Sequence, residues 1–122
     1  MFMNRKGFTL IELIMVIVLL GLLAIVAIPK YYDLQTDAKT AAEKGVVGGV
    51  RSGIYTYFAK NKAYPASLGG AVGACSAANP CFGTVIDQGG IQQDWSCTTA
   101  GSVYTGPAGT SYTYTAATGA FV

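Results

Sequence analysis

The sequence turns on one stretch, Gly7-Phe8-Thr9-Leu10-Ile11-Glu12-Leu13, and the apolar run that continues from it to Ile28. In the 21 residues 8–28 only Thr9 and Glu12 are polar. As a helix such a run is roughly 30 Å long, the thickness of a bilayer's hydrocarbon core. A secretory signal has a shorter apolar region, with its small residues and cleavage site behind it. Here the small residue, Gly7, stands in front, directly after Asn4-Arg5-Lys6. Glu12 lies about one turn inside the apolar run. A carboxylate at the centre of a membrane helix costs roughly 3 kcal/mol, and less near its end, so this one calls for a partner. Thr9-x-x-Glu12 also fits a capping box, and a carboxylate in the first turn gains from the helix dipole. Neither effect explains the 16 consecutive non-polar residues 13–28 that follow.

Lys6-Gly7-Phe8-Thr9-Leu10-Ile11-Glu12-Leu13 resembles the processing site of type IV prepilins and of the related pseudopilins of type II secretion. The resemblance is close over residues 5–34. It implies cleavage between Gly7 and Phe8 by a membrane-embedded prepilin peptidase, and methylation of the new Phe8 amine. It also implies that Glu12 pairs with the terminal amine of a neighbouring subunit, and that Gly21 and Pro29 loosen the helix. The implied fold is α+β and pilin-like: one long N-terminal helix with a small antiparallel sheet on its second half. The segment Tyr32-Asp33-Leu34-Gln35-Thr36-Asp37-Ala38 is similar to major pilins of the mannose-sensitive haemagglutinin type.

The expected organisation is a cleaved leader 1–7, a membrane and assembly helix 8–28, an amphipathic half 29–62, and a β-sheet head 63–122. Without Arg5 and Lys6, the eight basic side chains fall to six, equal to the six acidic ones. A nucleic-acid partner recognised through a basic field therefore gets no support. The two leader cations predict a cytoplasmic N-terminus and an exported C-terminal part. Cys75, Cys81 and Cys97 suit an oxidising compartment. Being three, they allow one intrachain bridge at most. Cys75–Cys81 would close a short loop and Cys81–Cys97 a longer one. The short loop is the one in which some pilin-like proteins resemble this chain. No metal or cofactor is implied, since His is absent and the cysteine spacings do not resemble a zinc site.

Pro29 lacks the N–H that would bond the carbonyl four residues back, and Gly21 lowers helix propensity by about 1 kcal/mol relative to Ala. Residues 30–60 read as a second helical stretch. Ala38, Ala41, Gly45, Gly49 and Gly53 form a small-residue stripe, with Gly48 and Ser52 beside it. Val46, Val50, Ile54 and Tyr57, widened by Val47 and Phe58, form a bulky stripe roughly opposite. Asp37, Lys44 and Arg51 mark a wet strip. The bulky stripe is expected to carry the sheet, and the small stripe to admit neighbouring helices. Asn61 and Pro65 stop the helix, and residues 66–79, rich in Gly, Ala and Ser, read as a loop. Strands are expected at 81–86, 95–98, 102–105 and 111–115, with a last one at 120–122, giving a sheet of three or four strands. Trp95 is the expected core anchor.

Enzyme chemistry is poorly provided for. Histidine is absent, no carboxylate pair stands out, and no Gly cluster precedes a Lys-Ser or Lys-Thr pair. Tyr104, Tyr112 and Tyr114 could stack on a glycan or on single-stranded DNA, although alternating Tyr and Thr are ordinary strand residues. The reading favoured is a structural subunit that polymerises with copies of itself. Its expected partners are the peptidase, the inner-membrane assembly machinery and, before assembly, the membrane. A type II secretion pseudopilin or a minor pilin is the runner-up.

Overall fold

A computed structural model describes residues 6–122; residues 1–5, including Arg5 of the expected leader, lie outside the described residues. Helix α1 spans Leu10–Asn61. The chain divides into two compact units, Met1–Asp37 and Ala38–Val122, described here in turn.

In the first unit every described residue is exposed, from Lys6 to Asp37. The backbone is α-helical from Leu10 onward and continues through both Gly21 and Pro29. Pro29 leaves the carbonyl of Ile25 without its usual helical donor, yet the helix carries on.

In the second unit the C-terminal part of α1 packs under a five-stranded antiparallel sheet. The strands are β1 (Gly73–Ala74), β2 (Ser96–Thr99), β3 (Val103–Thr105), β4 (Ser111–Thr115) and β5 (Ala120–Phe121), ordered β1-β2-β3-β4-β5. Each strand pairs with its predecessor in the chain, and a bulge interrupts the β2–β3 register between Cys97 and Thr99. The count exceeds the expected three or four because of β1. It lies in the Gly/Ala/Ser stretch read as a loop, and two exposed residues carry no alternation of side chains to detect. Its strand character comes from backbone pairing with β2.

The strand expected at 81–86 is not one. Cys81 makes an isolated bridge with Ile91, while Val85 and Ile86 donate their N–H groups to the Phe82 carbonyl at 3.1 and 2.9 Å, as in a helical turn. Phe82 itself has φ 62°, in the left-handed region that a strand cannot accommodate. That unusual backbone turns its ring inward. Phe82 is fully buried and meets Trp95, Tyr104 and Phe121 at centroid separations of 5.3, 4.2 and 5.6 Å.

From α1 the core receives Val47, Val50 and Ile54, so the bulky stripe does face the sheet. The small-residue stripe is divided. Gly45, Gly48 and Gly49 would meet nothing if given a Cβ, whereas one on Gly53 would run into the Val85 carbonyl. Gly53 therefore belongs to the head's own packing, which corrects its assignment to the outward stripe. The physical reason is its position one residue before Ile54, at the border of the buried face. The helix ends where Lys62, at φ 54°, donates its N–H to the Phe58 carbonyl at 2.7 Å, a left-handed C-terminal cap.

Candidate assembly site

The N-terminal segment is built by a local rule. The Thr9 N–H donates to Glu12 Oε2 at 2.9 Å, and the Glu12 N–H donates to Thr9 Oγ1 at 3.4 Å. This is a reciprocal capping box, which satisfies two of the amide groups that a helix start leaves open. It fixes the carboxylate within the first turn of α1, beside Gly7 and Phe8. Phe8 is 88% exposed, and a Cβ on Gly7 would meet nothing within 4 Å. The peptide bond between them is thus open to approach. Cutting it would leave the capping box whole, because the Thr9 N–H stays an amide. A carboxylate has about four acceptor positions, so Glu12 can accept a further donor while it caps the helix.

Beyond Glu12 the helix presents Leu13, Ile14, Val16, Ile17, Leu20, Leu23 and their neighbours to the outside, each about half exposed or more. Fully burying one such side chain is worth roughly 1.5–3 kcal/mol. The stretch as a whole therefore favours lipid or another helix over water by an amount on the order of tens of kcal/mol. It is long and apolar enough to cross a membrane.

The head is held by polar contacts that the sequence did not announce. Glu43 is 2% exposed. Its Oε1 accepts the Tyr112 hydroxyl at 2.8 Å and its Oε2 accepts the Ala108 N–H at 2.9 Å. Burial works against the charged carboxylate, but hydrogen bonds from Tyr112, Thr110 and Ala108 outweigh it and hold the group below its ordinary value. A Cβ on Gly106 would collide with this carboxylate, so any side chain there would have to displace Glu43 from its place under the β3–β4 turn. A usable sign was present: Glu43 stands four residues before Val47, on the stripe that carries the core.

The tyrosine hydroxyls are likewise spent inside the head. Tyr104 donates to the Gly69 carbonyl at 2.5 Å and Tyr114 to the Pro65 carbonyl at 2.6 Å, and both rings are buried. Burial raises both phenols above their ordinary value, while for Tyr112 the bond to Glu43 leads. The buried rings of Tyr104 and Tyr114 offer no stacking face to a glycan or a base, while Tyr112 is half-buried with its hydroxyl held by Glu43. Cys75 and Cys81 form the disulfide, and Cys97 is a buried free thiol. The Asn79 side chain lies within the disulfide loop and closes it against the preceding segment. Its Oδ1 accepts the Ala71 N–H at 2.7 Å and its Nδ2 donates to the Ala71 carbonyl at 3.0 Å.

Among families of known proteins, the one described as the prokaryotic N-terminal methylation motif matches residues 2–28. The N-terminal segment of the chain is similar to those of type IV pilins and of a type II secretion core protein. The fimbrial protein EcpC of Eikenella corrodens is 36% identical over 62 residues, which cover 51% of this chain and 40% of that protein. The type IV narrow pilus major component PilA5 of Thermus thermophilus is 46% identical over 50 residues, covering 41% and 43%. The type II secretion system core protein G of Pseudomonas aeruginosa is 35% identical over 67 residues, covering 55% and 47%. The chain spans less than half the length of these relatives. No solved structure matches it.

Proposed function

We propose that this protein is a structural, non-catalytic subunit of a type IV pilus-like filament. It is cut between Gly7 and Phe8, methylated at Phe8, held in the inner membrane by residues 8–28, and polymerised with copies of itself. The observation that carries the reading is the capping box at the head of the exposed apolar run, inside the matched methylation motif. The box holds an acidic group within a turn of the amine that cleavage would create. In a bundle of such helices that carboxylate meets the terminal amine of a neighbour, and the pair sets register. A buried charge without its partner costs several kcal/mol, whereas a paired one is tolerated. Gly21 and Pro29 are the points at which the helix can give when subunits pack. Prepilin peptidase and the inner-membrane assembly machinery are the partners this route requires, with the N-terminus cytoplasmic and the head exported.

The similarity to the core protein G of type II secretion favours a second reading, a short periplasmic pseudopilus. A mass spectrum of protein sheared from whole cells separates the two. A chain beginning at N-methyl-Phe8 in the sheared fraction supports a surface fibre, and a processed chain confined to the membrane fraction supports the pseudopilus. A chain still carrying Lys6 in both fractions refutes processing and with it the filament.

A further inference from the structure

Both outer edges of the sheet meet side chains. The strand order β1-β2-β3-β4-β5 leaves β1 and β5 outermost. In an antiparallel pair, residues alternate between exchanging both backbone bonds and turning both groups away. Val122 exchanges its bonds with Thr113 at 3.1 and 2.6 Å, so the Phe121 backbone groups face outward, and that carbonyl accepts Arg51 Nε at 3.0 Å. At the other edge the Cys75 N–H donates to the Trp95 carbonyl at 2.9 Å. Ala74, one residue earlier and in register with Ser96, therefore turns its backbone groups away from β2. Asn79 meets that edge. Its Nδ2 donates to the Ala74 carbonyl at 3.4 Å and to the Ala71 carbonyl at 3.0 Å, and its Oδ1 accepts the Ala71 N–H at 2.7 Å. One side-chain amide thus exchanges both bonds with Ala71, as a residue of a neighbouring strand would.

The loop that carries Asn79 is built to present this amide. The Cys75–Cys81 bridge ties its ends, and inside it Ser76 and Asn79 exchange backbone bonds at 3.0 and 3.1 Å. A bare strand edge invites pairing with another chain, and proteins commonly blunt such edges with charge. Here the sequence holds no charged residue between Lys62 and Asp87, while Val72, Gly73 and Ala74 are all exposed. We propose that Asn79 is an edge guard: its amide stands in the place of a strand, and without it β1 pairs edge to edge with β1 of a second copy. A second copy is the fitting occupant for two reasons. An antiparallel β1–β1 pair is self-complementary about a two-fold axis, and an uncharged segment does not repel its own copy. In a filament of the kind proposed above, the guard keeps heads from joining through their sheets. That consequence rests on the filament reading; the guard itself does not.

The test uses the full, uncleaved chain in mild detergent without reductant, so it requires no filament. Protein mass per micelle and amide exchange by NMR are followed from dilute to concentrated samples, with wild type as the baseline. In dilute Asn79→Ala the Ala71 amide is expected to exchange at least tenfold faster than in wild type. On concentration the Ala74 amide is expected to slow at least tenfold, and the mass to rise to about twice that of wild type. Adding Val72→Lys, which sets like charges against each other across the pair, is expected to return the mass to the wild-type value. Asn79→Ser carries the same expectations as the alanine variant, and Trp95 fluorescence checks that each head is folded. A mass for Asn79→Ala equal to wild type at every concentration overturns the proposal. So does a gain in mass that Val72→Lys leaves in place. Heads that melt below the assay temperature in both Asn79 variants overturn it too, since Asn79 would then be a support of the fold and not a guard of its edge.

Discussion

Replacing Glu43 by Ala removes the acceptor for both the Tyr112 hydroxyl and the Ala108 N–H. Hydrogen bonds to a charged group are worth roughly 1.5–3 kcal/mol each. Tyr112 is only half-buried, so water can recover part of its loss, and the variant no longer carries the cost of burying a carboxylate. The net loss is about 2–3 kcal/mol. For a unit of this size 1 kcal/mol moves Tm by roughly 4–8 °C, so the expected fall is about 10–20 °C. Trp95, the single tryptophan, is buried and its ring centroid lies 6.0 Å from that of Tyr112. Its fluorescence during heating of the full chain in detergent therefore reports on this region. Glu43→Gln keeps the volume and one acceptor, and about 1 kcal/mol of loss is expected. The two variants also differ from wild type in acid. The Glu43 carboxyl is held below its unfolded value of 4.5, so its contribution is complete above that pH and vanishes as pH falls through the folded value. Both variants should lack that part of the acid limb. A Tm for Glu43→Ala within about 3 °C of wild type at pH 7, with an unchanged acid limb, would refute the reasoning, since the predicted loss is several times larger.

Other expectations follow from neighbouring contacts. Gly49→Ala fills open space on a helix and should stabilise by up to about 1 kcal/mol, whereas Gly53→Ala must displace the Val85 carbonyl and should lower Tm. Equal effects of the two in a thermal melt would contradict the division of the small-residue stripe. Tyr104 and Tyr114 are held neutral above the ordinary phenol value of 10.0, so stability should be intact below that pH and decline above it as the unfolded chain ionises first. A melt series from pH 9 to 11 showing no decline would argue against their burial. Glu12→Val should leave membrane insertion intact and reduce or abolish filaments in a shearing assay. Normal fibres from that variant would remove the pairing role from the proposal.

Much of this was legible in the sequence, and the division has physical causes. Periodicity works where a segment is long and one kind of face repeats. The run 8–28 and the stripe through Val50 and Ile54 were readable for that reason, and so was the burial of Trp95. The alternation in residues 111–115 located β4. It fails where backbone, and not side-chain pattern, decides. β1 is two exposed small residues joined by amide pairing, and the 81–86 segment is bent by a left-handed Phe82. Glu43 escaped notice because a carboxylate looks solvated until the donors that neutralise its burial are known, and these arrive from residues more than 60 positions away. In the first unit, the role of Thr9 and Glu12 as helix cap was written in their spacing.

The strand order of the head has a consequence for how it comes into being. Every strand pairs with the one before it, and the disulfide joins residues only six apart. Almost every step in building the sheet can therefore be completed by chain already in hand. Proteins rich in such short-range contacts form quickly, because little loop entropy must be lost before a contact is gained. The late exceptions are the ties back to α1: Tyr112 to Glu43, and the Arg51 Nε that donates to the Phe121 carbonyl across 70 residues. A chain delivered helix first would thus fold its sheet as a sequence of hairpins and dock it in one closing step. That step is made by an acid and a base about two turns apart on the same helix.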